Sequence, residues 1–564
     1  MIQNTKLPTS NLRIIPLGGQ EEVGKNMTVF EYKNDIIIVD MGIQFPEEDM
    51  PGVDYVIPNI SYLRGKEKNV KGVVFTHGHM DHIGAAHILL NKLGYPPVIG
   101  RDLTLALLKS RLEDHQKGST SQLKTIQVKS GKEQIKLGEF NLNFFEVEHS
   151  IMDSIGVVLT TPVATAIHMG DWTLGSEDSN EKQISYSHLA NLPKPTILLM
   201  ESLGSLKKKD LITEKEMWAN FESIINKAPG RVIIGTFSTQ VKRIRDIFEY
   251  ARTINKKIAI DGYSMKVALK IAMQLGYIKA GKGTLIDIKQ ANNYRDNQLI
   301  ILCTGAQGES RAVLTRIVTG EHPRITLKKS DTIIFSSSII PGNEKAIQRL
   351  KDSLYRKCDN VIHNEIMNVH VSGHNNIEAI KELIKQIKPD YLLPVYANHY
   401  FLKEAKNVAK SIGFNEKNIF ILDNGHIINF NKNNAPFIEA KKVDTSYVMV
   451  DGLGVGDVGQ IVLRDRNTLS QDGMFVIVAI VDRRTGKVKG SPDIISRGFV
   501  YLKESKELLY ETRKKTVEII NKSSNANGAV NWSYVKDGIR NRIGDFLYAK
   551  TERRPMILPV IIEV

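Results

Sequence analysis

Six consecutive residues, His77-Gly78-His79-Met80-Asp81-His82, carry four side chains able to ligate a metal. Imidazole nitrogen and carboxylate oxygen suit zinc or manganese. The motif follows Gly72-Val73-Val74-Phe75, a short apolar run bounded by glycine and polar residues, which predicts a buried strand. A strand end entering a tight turn can aim alternating histidines into one cleft. The competing reading is a polar loop whose histidines satisfy one another, which suits a lone histidine better than an H-x-H-x-D-H string. One motif does not fill two metal shells, and the chain holds further candidates. His149 follows a predicted strand at 144–147, and Asp171 ends His168-Met169-Gly170 at another predicted strand end. Taken alone, each is more readily a core or turn residue.

The elements that must position these residues alternate along the chain. Ile36-Ile37-Ile38-Val39, ending in Asp40, predicts a strand, as does 155–159, and the small-residue run after His82 predicts a helix over 83–93. From about residue 206 the texture becomes a strand–helix alternation. Thr213-Glu214-Lys215-Glu216 has capping-box spacing before a helix, then a strand at 231–234 and a helix at 241–250 follow. That alternation predicts a second α/β unit with a largely parallel sheet, running to about residue 360. A strand near 389–395 precedes a histidine-containing turn. After the polar Asn431-Lys432-Asn433-Asn434 a third unit begins, with a strand at 475–481, an amphipathic helix at 508–520 and a small polar loop at 523–528.

Length and composition bound the function. The 564 residues suit about three domains. Apolar residues at 42% and charged residues at 24% are a globular balance rather than a disordered one. No apolar run is long enough to cross a membrane, and Met1 to Arg13 shows no secretory leader. Two cysteines, Cys303 and Cys358, exclude a disulfide framework and predict a cytoplasmic protein. The net charge of +14 favours polyanions through counterion release, although a solvated lysine-rich surface gives the same number. Lys207-Lys208-Lys209 and Arg513-Lys514-Lys515 are read as solubilising charge first and polyanion contacts second. The acidic Glu47-Glu48-Asp49 is read as a solvated turn before a cation site.

The order His77-x-His79-x-Asp81-His82, His149, Asp171 resembles the metallo-β-lactamase superfamily. Longer segments are similar to one branch of it, bacterial ribonuclease J. They are Pro16-Leu17-Gly18-Gly19-Gln20 with Gly24-Lys25-Asn26-Met27, Phe45-Pro46-Glu47-Glu48, Thr304-Gly305-Ala306-Gln307-Gly308-Glu309, and Ser336-Ser337-Ser338 with Ile340-Pro341-Gly342-Asn343-Glu344. His370-Val371-Ser372-Gly373-His374, Asp451-Gly452-Leu453-Gly454-Val455-Gly456-Asp457 and Ser496-Arg497-Gly498-Phe499-Val500 complete the series, in the family's order from about residue 12 to the end.

The resemblance implies an α/β fold. A metallo-β-lactamase αββα sandwich (1–205 and 361–440) is split by an inserted β-CASP α/β domain (206–360), and a small C-terminal α/β oligomerisation domain (441–564) follows. It implies two divalent ions, zinc first, with manganese or magnesium as alternatives. His77, His79 and His149 would hold one, Asp81 and His82 the other, with Asp171 bridging. Asp81 and His374 are the implied catalytic residues. Phe237, Ser238, Thr239, His370, Val371, Ser372, Gly373 and His374 are the implied substrate-binding residues, although without the resemblance Phe237 is more readily core. The implied activity is hydrolysis of single-stranded RNA, 5′→3′ from 5′-monophosphate ends with endonuclease cuts besides, in mRNA decay and rRNA maturation. A homodimer, a homotetramer or a hetero-oligomer with a paralogue is the implied assembly.

Three departures weaken the second metal site. The family's last ligand, a histidine in P-V-H-G-E-Y, is here Tyr396 in Pro394-Val395-Tyr396-Ala397-Asn398-His399. Neutral tyrosine is a poor ligand, and His399 three residues on need not point the same way. Glu201-Ser202-Leu203-Gly204 replaces an S-T-N-like turn, and Thr236-Phe237-Ser238-Thr239-Gln240 a T-F-A-S-N-like turn. The rival reading is therefore an RNA-binding or assembly subunit with little or no turnover. A small-molecule hydrolase is the third, opposed by the β-CASP-like segments and the charge.

Overall fold

The computed structural model describes residues 11–47, 49–129, 133–174, 184–208, 213–281, 283–309, 311–339, 342–500, 505–523 and 530–564. The chain's first ten residues, Glu48, Lys209, Ile340, Pro341 and the polar loop at 524–528 lie outside the described residues. The chain forms two compact units, one of 1–45 with 56–448 and one of 46–55 with 449–564.

In the first unit, two sheets face each other. One orders its strands as Phe437–Ile438, Ile428–Phe430, Leu12–Gly18, Met27–Tyr32, Asp35–Val39, Val70–Val74, Val98–Gly100 and Thr125–Gln127. The other runs Tyr391–Val395, Thr196–Glu201, Thr165–His168, Ile155–Thr160, Phe140–Glu146 and Gln134–Leu137. Leu12, Phe30, Ile37, Val74 and Ile99 from the first meet Phe140, Leu142, Val157, Leu199 and Leu393 from the second in one core. Leu12–Gly18 and Thr196–Glu201 are buried along their whole lengths, so both faces of these strands are covered. The helices Ile377–Ile387 and His399–Ser411 cover the outer face of the second sheet through Ile380, Leu383, Ala405 and Ala409.

A third sheet is parallel throughout, ordered Leu285–Ile286, Lys257–Asp261, Leu299–Cys303, Val232–Thr236, Thr332–Ser336 and Asn360–Ile362. Helices cover both its faces, as the strand–helix alternation predicts. The capping box forms: the Thr213 hydroxyl accepts from the Glu216 N–H, and the Glu216 carboxylate accepts from the Thr213 N–H. The helix at 241–250 runs three residues further, as Val241–Thr253. The helix over 83–93 is corrected. It breaks into Met80–Ile83 and Ala86–Lys92, with the Ala85 N–H donating to the Met41 carbonyl instead of continuing the helical ladder.

Arg231 and Asp331 pin the register of two neighbouring parallel strands in that sheet. Arg231 Nε and Nη2 donate to the two Asp331 oxygens at 2.9 and 2.6 Å, one residue before the paired Val232 and Thr332. Both side chains are buried, and Asp331 also accepts from the Lys328 N–H. Asp331→Ala strands a buried guanidinium and is expected to lower stability by about 3–5 kcal/mol. Urea denaturation checks this, and a loss under about 1 kcal/mol would refute it.

In the second unit, Met474–Val481 sits between Asp493–Arg497, antiparallel, and Met556–Glu563, parallel. Phe475, Ile477, Ala479 and Val481 alternate inward against the helices Lys506–Ser523 and Trp532–Thr551. Asp49 meets Asn467 through its backbone carbonyl, and among the described residues neither Glu47 nor Asp49 belongs to a ligand cluster. No helix among the described residues is long and apolar enough to cross a membrane.

Candidate metal centre

Strand ends from both facing sheets build the centre. Val39 and Val74 pair on adjacent parallel strands, so Asp40 and Thr76-His77 leave the first sheet close together. In the second sheet His168 pairs with Leu199 and Glu201 with Val395, again in parallel. Asp171, Glu201 and Tyr396 therefore emerge at one end of that sheet.

There the ligand atoms of His77, His79, His149 and Asp171 all lie within 4.8 Å of one another, and those of Asp81, His82 and Asp171 do the same. His77 Nε2 and His149 Nε2 approach His79 Nδ1 at 3.0 and 3.1 Å. Asp171 Oδ2 lies 3.8 Å from His77 Nε2 and 3.7 Å from His149 Nε2.

The tautomers are set from behind. His149 Nδ1 faces the Gly373 carbonyl at 2.7 Å, so that nitrogen carries the proton and Nε2 keeps its lone pair. His82 Nδ1 donates to the buried Asp40 carboxylate at 2.8 Å, and its Nε2 faces the Asn26 side-chain amide at 2.9 Å, Asp171 Oδ1 at 3.3 Å and Asp81 Oδ2 at 3.4 Å. Asp40 is itself held by the Thr76 N–H and hydroxyl.

The electrostatics suit a cation. Burial, reinforced by the neighbouring imidazoles, holds His77 well below its ordinary value, and His149 falls to about 3 for the same first reason. Burial also takes His79 down to about 4, against the pull of Asp81 and Asp171. Burial would lift Asp171, but His82, His77 and His374 outweigh it and hold the carboxylate well below the usual range. Unprotonated imidazole nitrogens converging on one point repel one another unless a cation lies between them. The donor set thus fits a divalent ion such as zinc.

Around this centre stand residues the motif alone does not name. Glu201, fully buried, accepts from the Leu203 N–H at 2.6 Å and from the Asn375 side-chain amide. Its Oε1 lies 3.7 Å from His374 Nδ1, an ion-pair distance, and Asp171 Oδ2 is 3.9 Å from the same nitrogen. Burial works against protonation of His374, but the Glu201, Asp171 and Asp81 carboxylates prevail and lift it to about 9. Tyr396 is buried with its hydroxyl 3.0 Å from His168 Nε2, and its ring lies edge-on to His82 at 5.5 Å. Burial first, and then the charge of Asp40, raise the phenol well above 10. His399 lies elsewhere, in a separate exposed group with Glu21 and Asp423.

Beside His149 a cavity of about 280 Å³ opens, lined by Val371, Ser372 and Gly373 on one side and by Gln240, Lys242 and Arg243 on the other. A Cβ at Gly373 would meet the Ser150 side chain at 2.4 Å, so only glycine permits this approach. His370 is buried behind, its Nδ1 2.8 Å from Arg243 Nη1. Phe237, Ser238 and Thr239 form the half-buried turn before the helix Val241–Thr253 and do not line the cavity.

Three family models match the chain: the metallo-beta-lactamase superfamily over 21–181, the ribonuclease J beta-CASP domain over 229–354 and the ribonuclease J C-terminal domain over 461–564. Ribonuclease J2 of Bacillus subtilis is 35% identical over 561 residues, covering 99% of this chain and 100% of that protein. Ribonuclease J 1 of Streptococcus pyogenes is 36% identical over 561 residues, with 99% of each covered. Ribonuclease J 2 of Staphylococcus aureus is 31% identical over 565 residues, again with 99% of each covered. Among solved structures, a protein of unknown function from Enterococcus faecalis aligns with a TM-score of 0.54 at 14% identity, covering 75% of this chain and 100% of that one, a likeness of fold alone.

Proposed function

The chain belongs to the ribonuclease J family, and on that premise we propose that it hydrolyses single-stranded RNA 5′→3′ from 5′-monophosphate ends, with internal cuts besides. Its fold is the metallo-β-lactamase sandwich with a β-CASP insert and a C-terminal domain, and the family is one of metal-binding ribonucleases. The observation that carries the proposal is the convergence of two candidate ligand groups on Asp171 beside a cavity lined by Lys242, Arg243 and Ser372. His77, His79 and His149 would hold one divalent ion and Asp81 with His82 a second, zinc before manganese or magnesium, with Asp171 shared. When bound, the ions supply an activated water and neutralise charge on the phosphate. Asp81, partly open to solvent, orients the attacking water. His374 gives its proton to the leaving ribose oxygen, and Glu201 keeps that proton in place. Ser372 and Gly373 bind the substrate backbone, with His370 supporting them from behind, and Phe237, Ser238 and Thr239 touch RNA further along. The proposed setting is cytoplasmic mRNA decay and rRNA maturation.

The test is cleavage of end-labelled single-stranded RNA carrying a 5′-monophosphate or a 5′-triphosphate, with added Zn²⁺ or Mn²⁺, beside Asp81→Ala. Stepwise release of 5′ nucleotides from the monophosphate RNA, absent in the variant, is expected. Binding without product under any metal would sink the proposal and leave the second reading, an RNA-binding or assembly subunit, which the Tyr396–His168 contact favours.

The general acid has its own signature in pH. His374 works protonated, so turnover holds below its pKa and fades as pH rises through about 9. Glu201→Gln removes a charge that raises this pKa, so the alkaline limb of log kcat against pH moves to lower pH. An unmoved limb would assign the proton to another group.

We also propose assembly through the second unit. Paired positions Val476, Ile495 and Leu558, and Ile480 with Ile562, share the sheet face opposite the helices, and all but Val476 are exposed. Such an apolar face suits another copy, or a paralogue. Sedimentation showing only monomer would overturn this.

A further inference from the structure

Arg243 differs from the cations beside it. Lys242 is 3.0 Å from Glu214, and Arg245 is 3.0 Å from Asp246, so both of those charges are matched. Among the described residues no carboxylate lies within ion-pair distance of Arg243, and Glu214 and Asp246 act on it only from further away. Its Nη1 donates to Ser336 Oγ at 2.6 Å and to His370 Nδ1 at 2.8 Å, which uses both hydrogens of that nitrogen. The three N–H groups on Nε and Nη2 have no acceptor among the described residues. This is the edge with which a guanidinium grips a phosphate through two parallel hydrogen bonds. The side chain lines the cavity that also holds His149, Ser372 and Gly373, and it is neither exposed nor sealed off. Burial lowers its pKa to about 10, so it stays charged at neutral pH. A guanidinium cannot accept, so His370 Nδ1 must be unprotonated, and a neutral His370 carries its proton on Nε2.

We propose that Arg243, anchored by Ser336 and His370, is a substrate-binding residue that grips one RNA phosphate through its Nε and Nη2 edge in the cavity beside His149. The proposal rests on the ribonuclease reading and adds to it the group that supplies the counter-charge. Two sources offer this chemistry, a terminal 5′-monophosphate and an internal phosphodiester. The anchoring leaves the fork fixed before RNA arrives, so little side-chain entropy is lost on binding.

The experiment compares the full-length chain with Arg243→Gln and Arg243→Lys, and with Lys289→Gln as a loss of one exposed charge on a helical turn beyond the edge strand of the same sheet. The substrates are one 3′-labelled RNA bearing either a 5′-monophosphate or a 5′-hydroxyl. Arg243→Gln should raise KM by about tenfold or more with kcat within about twofold. A rise confined to the monophosphate RNA identifies the terminal phosphate, and an equal rise for both identifies an internal one. Arg243→Lys should show most of the same rise, because it keeps the charge but loses the fork. If Arg243→Gln melts early, the Arg243→Lys comparison decides. KM within about twofold of wild type for both RNAs, or a rise matched by Lys289→Gln, overturns the proposal. A wild-type chain that cleaves nothing would sink the ribonuclease reading instead, and fluorescence anisotropy of the same intact RNAs then measures the Arg243 effect as affinity.

Discussion

Asp171→Asn is expected to lower kcat/KM for RNA by roughly a thousandfold or more and to strip the centre of metal, while the chain stays folded. Asp171 is the one residue shared by both ligand groups. Its Oδ1 faces His82 and its Oδ2 faces His77 and His149. An amide of the same shape keeps the packing but removes the negative charge that would offset each cation between His77, His82 and His149. Removing only one lobe of the centre, as His79→Ala does, leaves Asp81, His82 and Asp171 intact and should spare part of the bound metal. Metal content by inductively coupled plasma mass spectrometry, read beside cleavage, separates the two cases. A variant at Asp171 that retains wild-type metal would remove this carboxylate from the ligand set.

The candidate motif at 77–82 was legible because its side chains are adjacent in sequence and the strand before them is short and apolar. His149 and Asp171 were legible only through the order of a known family. Asp40 was visible as a strand end, but nothing in the sequence ties it to His82. That link comes from the pairing of Val39 with Val74, which sets two strand ends side by side. Glu201 read as a departure from a turn motif. In the fold its strand lies between those of His168 and Val395, and this places its carboxylate behind His374. Nothing in the sequence sets Arg243 apart from Lys242 and Arg245 on the predicted helix at 241–250, since ion pairing to Glu214 and Asp246 depends on side-chain directions that sequence does not give. The predicted helix at 83–93 erred because small residues signal close packing as well as helix. Here Gly84 leaves no room for a Cβ, which would meet the Met80 carbonyl at 2.3 Å and Ile43 at 2.8 Å, and the chain turns.

Tyr396→His is expected to raise metal bound after dialysis from about one ion per chain toward two and to lower the metal concentration needed for half-maximal cleavage. The tyrosine occupies the position where the family pattern has a ligand, yet its hydroxyl goes to His168 and its ring rests near His82. The same surroundings that bury it keep the phenol neutral, and a neutral phenol is a poor ligand at neutral pH. An imidazole needs no such ionisation and sits in its metal-binding form at that pH. The backbone there is already in the left-handed region, at φ 60, so the exchange asks for no new main-chain strain. Gly19 lies against the ring with a Cβ position 2.7 Å from it, so the smaller side chain leaves space and should cost about 1–3 kcal/mol. Tyr396→Phe isolates the other contribution, because it loses the hydroxyl's contacts to His168 and the Thr28 side chain and offers no ligand. Should the histidine variant bind no more metal than the phenylalanine variant, position 396 does not control the second site. Low occupancy would then have to be traced to Asp81 or His82.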